Sequence, residues 1–260
     1  ILKRETLKTD VTGKASLEFE SPKDYGQDFE FRIEARVVDA SRREITGNGT
    51  VSITAQNLTI NSTVNATLGG TVILAPTAAG ITVDLGTKSS GNFGLSQSDL
   101  NNITGGTLKI GDSSTGAIIN TAPIDRNNLT LGTNLTLISG GPITQAGGNL
   151  TIGGTANFVS SGTGTSGNIT LNNITNLFNG TLTANGTNLT IWDAPPAKQA
   201  NIMLGDVRAT GSLEIYTPNG TISQASGSVI VSGPGNFSAG GSGNITMNLS
   251  GNDFAGVITA

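Results

Sequence analysis

Apolar and polar positions follow two different rhythms along this chain. Near the start they alternate: over residues 29–37, FEFRIEARV, the odd positions are apolar and the even ones charged. Successive side chains of a strand point to opposite faces, so this pattern predicts a strand with one buried and one wet face. Leu17 and Phe19 predict a shorter strand of the same kind, and Val51 and Ile53 a third, entered through Gly47 and Gly49. Turn chemistry separates them at residues 10–13 (DVTG) and 21–24 (SPKD). From about residue 57 the apolar positions thin into short apolar-Thr-apolar triplets set among Gly and Asn. Leu108, Leu129, Leu150, Ile169 and Leu189 each open such a triplet, about 20 residues after the last. A longer repeat overlies this beat. Residues 134–158 and 212–237 say nearly the same thing, with Leu135 answering Leu213, Gln145 answering Gln224, Phe158 answering Phe237 and Phe178 answering Phe254. Short strands at regular intervals predict a solenoid, since one thin strand cannot bury enough apolar surface alone.

The fold expected is therefore all-β: a partial antiparallel β-sandwich over residues 1–56, followed by a parallel β-helix over residues 57–260. About ten coils spaced about 4.8 Å apart would make a rod about 50 Å long. The pairs Gly69–Gly70, Gly105–Gly106, Gly140–Gly141, Gly153–Gly154 and Gly240–Gly241 are the expected corners, where φ > 0 is wanted. Phe93, Phe158, Phe178, Phe237 and Phe254 are expected inside. Residues 96–102 form the one candidate for a short helical turn, and Pro76 marks a further corner or loop.

Charge supports the division. The chain holds 14 Lys/Arg and 18 Asp/Glu, and most of them lie before residue 48. Its 260 residues contain no His and no Cys. That removes disulfides, the usual zinc ligands and the conventional base that would activate a serine. A formal net charge of −4 without a basic cluster argues against nucleic acid as a partner. No apolar run reaches the roughly 20 residues needed to span a membrane. The chain opens on Ile1 and reads as an inner segment of something longer.

Candidate chemistry is sparse. Asp84, Asp99, Asp112 and Asp125 recur at short intervals, and β-helix enzymes acting on polysaccharides set carboxylates on one face as acid, base or calcium ligands. Their spacing does not match a coil of about 20 residues, so lone turn aspartates are the expectation, with no catalytic, cofactor or metal site. Asn-x-Thr/Ser recurs from Asn48 and Asn57 to Asn244 and Asn248. It is a possible glycan acceptor, or what results automatically when a corner Asn precedes an apolar-Thr step. Residues 192–198, WDAPPAK, break the beat, because prolines cannot join a central ladder. They predict a loop leaving the coil, with Trp192 either an exposed partner contact or a cover for the side of the rod.

Two resemblances sharpen these expectations. Residues 36–47, RVVDASRREITG, with the strands before them, resemble the closing strands of a macroglobulin domain of bacterial alpha-2-macroglobulin proteins. That family traps proteases; its Cys-Gln thioester has no counterpart in a chain without Cys. Residues 107–119 (TLKIGDSSTGAII), 134–145 (NLTLISGGPITQ) and 167–171 (GNITL) resemble the filamentous-haemagglutinin type of exoprotein, passengers of two-partner and autotransporter secretion in Gram-negative bacteria. That resemblance implies a right-handed β-helix without catalysis, secreted or displayed on the cell surface. It would serve as a stalk or adhesin, meeting a host-cell, matrix or cell-surface glycan or protein, and the full-length protein would use an outer-membrane secretion partner. The alternatives are a component of a protease trap and a β-helix enzyme acting on polysaccharide.

Overall fold

The structure, a computed structural model, describes residues 49–194 and 201–260. The alternating strands expected before residue 48 lie outside the described residues. The rest is a parallel β-solenoid of about nine turns, and every pairing between its strands is parallel. The first sheet stacks, in order, Thr50–Ala55, Thr71–Pro76, Thr107–Ile110, Asn134–Ser139, Ala156–Ser160, Thr181–Gly186 and Ile202–Ala209. Two short strands, Ile222–Gln224 and Val229–Val231, then share the last of these as partner. A second sheet stacks nine strands, from Phe93–Leu95 and Val83–Leu85 through Ile118–Asn120, Ile143–Gln145, Ile169–Leu171, Leu189–Trp192 and Leu213–Thr217 to Gly235–Ala239 and Ile258–Thr259. Ile124–Arg126, Leu150–Ile152 and Leu177–Phe178 form a third. Nine rungs at the ordinary strand spacing occupy about 40 Å.

The strand of Val51 and Ile53, expected in the antiparallel sandwich, instead pairs in parallel with Thr71–Pro76 and so belongs to the solenoid. Its own alternation is the reason: one face is covered by the coils and the other is wet, which either architecture would satisfy.

Because the strands are parallel and in register, like stacks on like. Val72, Leu108, Leu135, Ala156, Leu182 and Leu204 form one inner column of the first sheet, all fully buried. Val83, Ile118, Ile143, Ile169, Leu189 and Leu213 form its counterpart in the second. Each such side chain contributes about 1.5–3 kcal/mol by leaving water. The rings sit as expected: Phe93, Phe158, Phe178 and Phe237 are buried and Phe254 packs against the core. They meet edge-on in matched pairs, Phe158 with Phe178 at 5.8 Å and Phe237 with Phe254 at 6.0 Å. A capped turn occupies Gln97–Leu100, with Ser96 accepting from the Asp99 amide and Asp99 accepting from the Ser96 amide.

The 20-residue beat does not survive. Four of its five members fall on three sheets, and among them only Ile169 and Leu189 stack directly. Leu108 lies under Leu135, Leu150 over Ile124, and Leu129 sits in a turn at 80% exposure. True stacked partners on the first sheet are 27, 21 and 26 residues apart (108 to 135, 135 to 156, 156 to 182). The regularity lies in strand register, while corner lengths vary.

The corner glycines are needed for a reason other than the one expected. Of the five Gly pairs, only Gly241 has positive φ, at 66°. A Cβ on Gly106 would lie 2.1 Å from the Leu68 carbonyl oxygen, and one on Gly180 would lie 2.3 Å from that of Gly154. Coils meet there backbone to backbone, and a methyl group does not fit.

The long repeat is real, but its two copies occupy different faces. Asn134–Ser139 is answered by Leu213–Thr217, Ile143–Gln145 by Ile222–Gln224, and Leu150–Ile152 by Val229–Val231. The first of each pair lies on the first, second and third sheet respectively; the second lies on the second, first and first. The cause is a slip. The three coils from Thr107 to Phe178 visit the sheets in the order first, second, third. After Leu189–Trp192 the chain returns to the first sheet at Ile202 with no third-sheet strand among the described residues. The later strands therefore sit on other sheets than their counterparts in the first copy.

Leu108 and Leu129 provide a direct check on this register. Leu108→Ala should lower stability by about 2–5 kcal/mol, whereas Leu129→Ala should change it by less than about 0.5 kcal/mol. Chemical denaturation of both variants measures this; similar costs would contradict the stacking.

Candidate binding faces

The outer faces carry what chemistry the solenoid has. On the second sheet, Trp192 is the last residue of the strand Leu189–Trp192, where the sequence suggested a loop. The prolines that prompted that expectation, Pro195 and Pro196, lie outside the described residues. In register, Thr190 faces Glu214 and Trp192 faces Tyr216 on the next strand. The indole Nε1 donates to Glu214 Oε1 at 3.0 Å, and the two rings meet edge-on at 5.2 Å. Trp192, Glu214 and Tyr216 are all half-buried. This arrangement fixes the indole against the side of the coil while leaving part of its surface accessible. An aromatic surface beside a carboxylate and a Thr hydroxyl suits a ligand with both apolar and hydrogen-bonding faces. Tyr216 and Glu214 were not singled out by sequence; their signal was the parallel register, which places them one rung from Trp192.

On the first sheet the outward positions mix polar and apolar residues. Lys109, Thr136, Asn157 and Thr183 form one column, and Thr183 donates to Asn157 Oδ1 at 2.8 Å. A neighbouring column runs Ile138, Val159, Asn185, Arg208, Ile230. The register shifts between Leu182 and Ala184, a bulge that admits Gly205 and Asp206 opposite Thr183. Beside it opens a shallow groove of about 450 Å³, lined by Asn157, Thr183, Asn185, Asp206, Arg208 and Ser228 among others.

The four aspartates noted in the sequence do not converge. Asp84 is buried in the second sheet. Burial pushes its carboxyl up, but hydrogen bonds from Ser89, Thr121 and Thr87 outweigh this and hold it at about 2. Asp99 caps the short turn and pairs with Lys88 at 3.1 Å; burial again opposes, and bonds from the Ile60 and Ser96 amides and Ser96 hydroxyl prevail to lower it. Asp112 closes a turn on Ser114 and Thr115, which lowers its pKa. Asp125 caps the Asn127 amide. Asp112 and Asp125 cap turns, whereas Asp84 sits in a strand and also accepts from Thr121 of the next coil, and Asp99 holds the distant Ile60 amide. Among the described residues no three His, Cys, Asp or Glu are grouped to hold a metal.

The asparagines are also occupied structurally where they meet the next coil. Asn134 accepts from the Thr155 amide, Asn168 from Asn188, and Asn188 from Ser212. Gln145 and Asn176 clasp each other through both amides, at 2.8 and 2.9 Å, and the repeat copies this with Gln224 and Asn252 at 2.8 Å in each direction. A carboxamide offers one donor and one acceptor side, so two of them joined across coils satisfy each other while also serving nearby backbone groups.

Two buried charges had no signal in the sequence. Arg126 is 2% exposed and donates to the carbonyls of Ile103, Gly105 and Leu131. Burial lowers its pKa to about 10, so the guanidinium stays charged at neutral pH. Asp193, next to Trp192, is fully buried, and neither carboxyl oxygen has a hydrogen-bond partner of sound geometry. Burial raises it to about 7, the nearby Phe178 amide opposing only weakly. The unfolded chain ionises near 3.8, so between about 4 and 7 the folded state holds a proton the unfolded state has lost. Stability should therefore fall as pH rises through that window, by up to about 4 kcal/mol, and level off above it. Asp193→Asn should remove this dependence and raise the unfolding midpoint at pH 8 but not at pH 4. Melting curves of both proteins across pH 4–8 check it; parallel profiles would refute the assignment.

The repeat family DUF5649, described as repeats of unknown function, matches residues 115–185 and 187–260. The break between the two matches falls at Gly186, between Asn185 and Thr187, ahead of the point where the second copy moves to other faces. Comparison with curated proteins and with solved structures finds no match. With more than half of its length covered by two copies of the repeat, the chain belongs to the DUF5649 family.

Proposed function

We propose that this chain is a non-catalytic segment of a large secreted or surface-attached bacterial protein, acting as a structural stalk and adhesin. The observation that carries this reading is the stack itself. Coils of one register hold outward Thr, Asn and aromatic side chains at fixed spacing, which suits repeated shallow contacts with a host-cell, matrix or cell-surface glycan or protein. Fixed outward side chains bind without the ordering cost that a flexible surface incurs. In this reading the coil is right-handed, as in filamentous-haemagglutinin-like passengers, and the full-length protein leaves the cell through an outer-membrane partner. In the same reading residues 1–48, which resemble macroglobulin strands in sequence, are an accessory module of the same surface protein. No helix among the described residues is long and apolar enough to cross a membrane.

Trp192 is the contact proposed for a partner. Purified protein should bind cells or extracellular matrix without chemical turnover. Trp192→Ala should lose that binding at least tenfold while melting within a few degrees of the parent, because the indole makes one hydrogen bond and one ring contact at the surface. Surface plasmon resonance on immobilised matrix, with a reducing-sugar assay on the same material, reads both. Undiminished binding would remove Trp192 from the contact, and release of reducing ends would replace adhesion with catalysis.

A further inference from the structure

The described residues hold four cationic side chains, and two of them are accounted for: Lys88 pairs with Asp99, and Arg126 is buried on three carbonyls. The other two, Lys109 and Arg208, have no ion-pair or hydrogen-bond partner among the described residues. Both point outward from the first sheet. They lie four rungs apart, about 19 Å at the ordinary strand spacing, in neighbouring columns. Between them stand Thr136, Asn157, Thr183 and Asn185, with Ile138 and Val159 in the column of Asn185, all outward. Arg208 is at the groove of about 450 Å³, with the Asn185 carboxamide one rung away. Asp206 shares the groove, but its Oδ1 is turned to the Ser228 amide at 2.9 Å, and Asp253 lies two rungs beyond Arg208. Among the described residues, the two unpaired cations thus lie on the same face.

We propose that this face of the first sheet binds an extended acidic oligosaccharide, with Arg208 and Lys109 taking carboxylates of separate uronate residues and the Asn and Thr side chains between them taking hydroxyls. Guanidinium offers a planar pair of donors that matches a carboxylate, while Lys supplies a point charge, so Arg208 anchors and Lys109 assists. The amide and hydroxyl side chains each both donate and accept, which matches sugar hydroxyls. Val207 and Ile230 line the groove and Ile138 and Val159 flank it, so an acidic peptide is the competing occupant that the test must separate. The proposal deepens the adhesive reading by naming a ligand class and a face; it does not use the Trp192 contact.

The test is binding of the full chain to a polygalacturonate oligosaccharide at low and high salt, followed by microscale thermophoresis. Arg208→Gln should weaken binding roughly tenfold or more, and Lys109→Gln by a smaller factor. Trp192→Ala should leave it unchanged, a neutral glucan oligosaccharide should not bind, and added salt should weaken the complex. Arg208 is exposed and makes no hydrogen bond, so the variant should melt as the parent does. A sulfated glucan binding as tightly as the uronate would overturn the carboxylate assignment, and polyglutamate binding as tightly would overturn the sugar. Equal affinity in Arg208→Gln would overturn the site while leaving adhesion through Trp192 intact. Cleavage of the polygalacturonate would leave the site standing and defeat the non-catalytic reading.

Discussion

The backbone ladder between successive coils is the constraint from which the rest of this molecule follows. Each coil gives its N–H and C=O groups to the coil above and below, in parallel and in register, so a residue's neighbour is its counterpart one turn away. Strand spacing then sets how closely side chains of like position approach. Inside, that favours apolar columns; at the corners, it brings backbone onto backbone and demands Gly where a Cβ would meet a carbonyl. Where the corner carries a side chain, Asn and Gln prevail, because a carboxamide can serve the coil on either side at once.

The same ladder explains how one repeat can occupy two sets of faces. A strand such as Leu150–Ile152 needs only an apolar inner side and a partner in register, and Val229–Val231 meets both needs on another sheet. What travels with the sequence is local: the Phe158–Phe178 contact and the Gln145–Asn176 clasp reappear as Phe237–Phe254 and Gln224–Asn252 after the slip. Outer faces do not travel in this way. Lys109 precedes the first matched repeat and Arg208 lies in the second, yet both lie on the first sheet, and Trp192 and Tyr216 meet on the second because their strands are neighbours there.

Much of the fold was legible before coordinates. Alternating apolar-Thr-apolar triplets, corner Gly and Asn, and the answering Phe positions pointed to a parallel solenoid. The coil period was not legible. The triplet opened by Leu129 reads like the others, yet it falls in a turn between Asn128 and Gly132, while Leu135 takes the place in the column. One-dimensional spacing does not separate a strand from a turn of like composition when corners vary in length. The buried charges were equally hidden. Arg126 sits among Asp and Asn residues that read as a wet corner, and only the coil below, with its inward carbonyls of Ile103 and Gly105, turns it into the core. Trp192 drew notice because the prolines after it break the beat, but its partners did not, because Glu214 and Tyr216 become its neighbours through register alone.

The parallel register is open to one direct measurement, helped by the absence of cysteine from the chain. Thr170 and Thr190 face outward as partners on adjacent rungs, and Thr144 lies one rung below Thr170. Adjacent parallel strands bring Cα atoms to about 4.8 Å, within the range a disulfide spans, while two rungs separate them by about 10 Å. The doubly substituted Thr170→Cys/Thr190→Cys protein should form an intramolecular disulfide on mild oxidation, and Thr144→Cys/Thr190→Cys should not. Failure of the first pair to close, or ready closure of the second, would contradict the stacked coil.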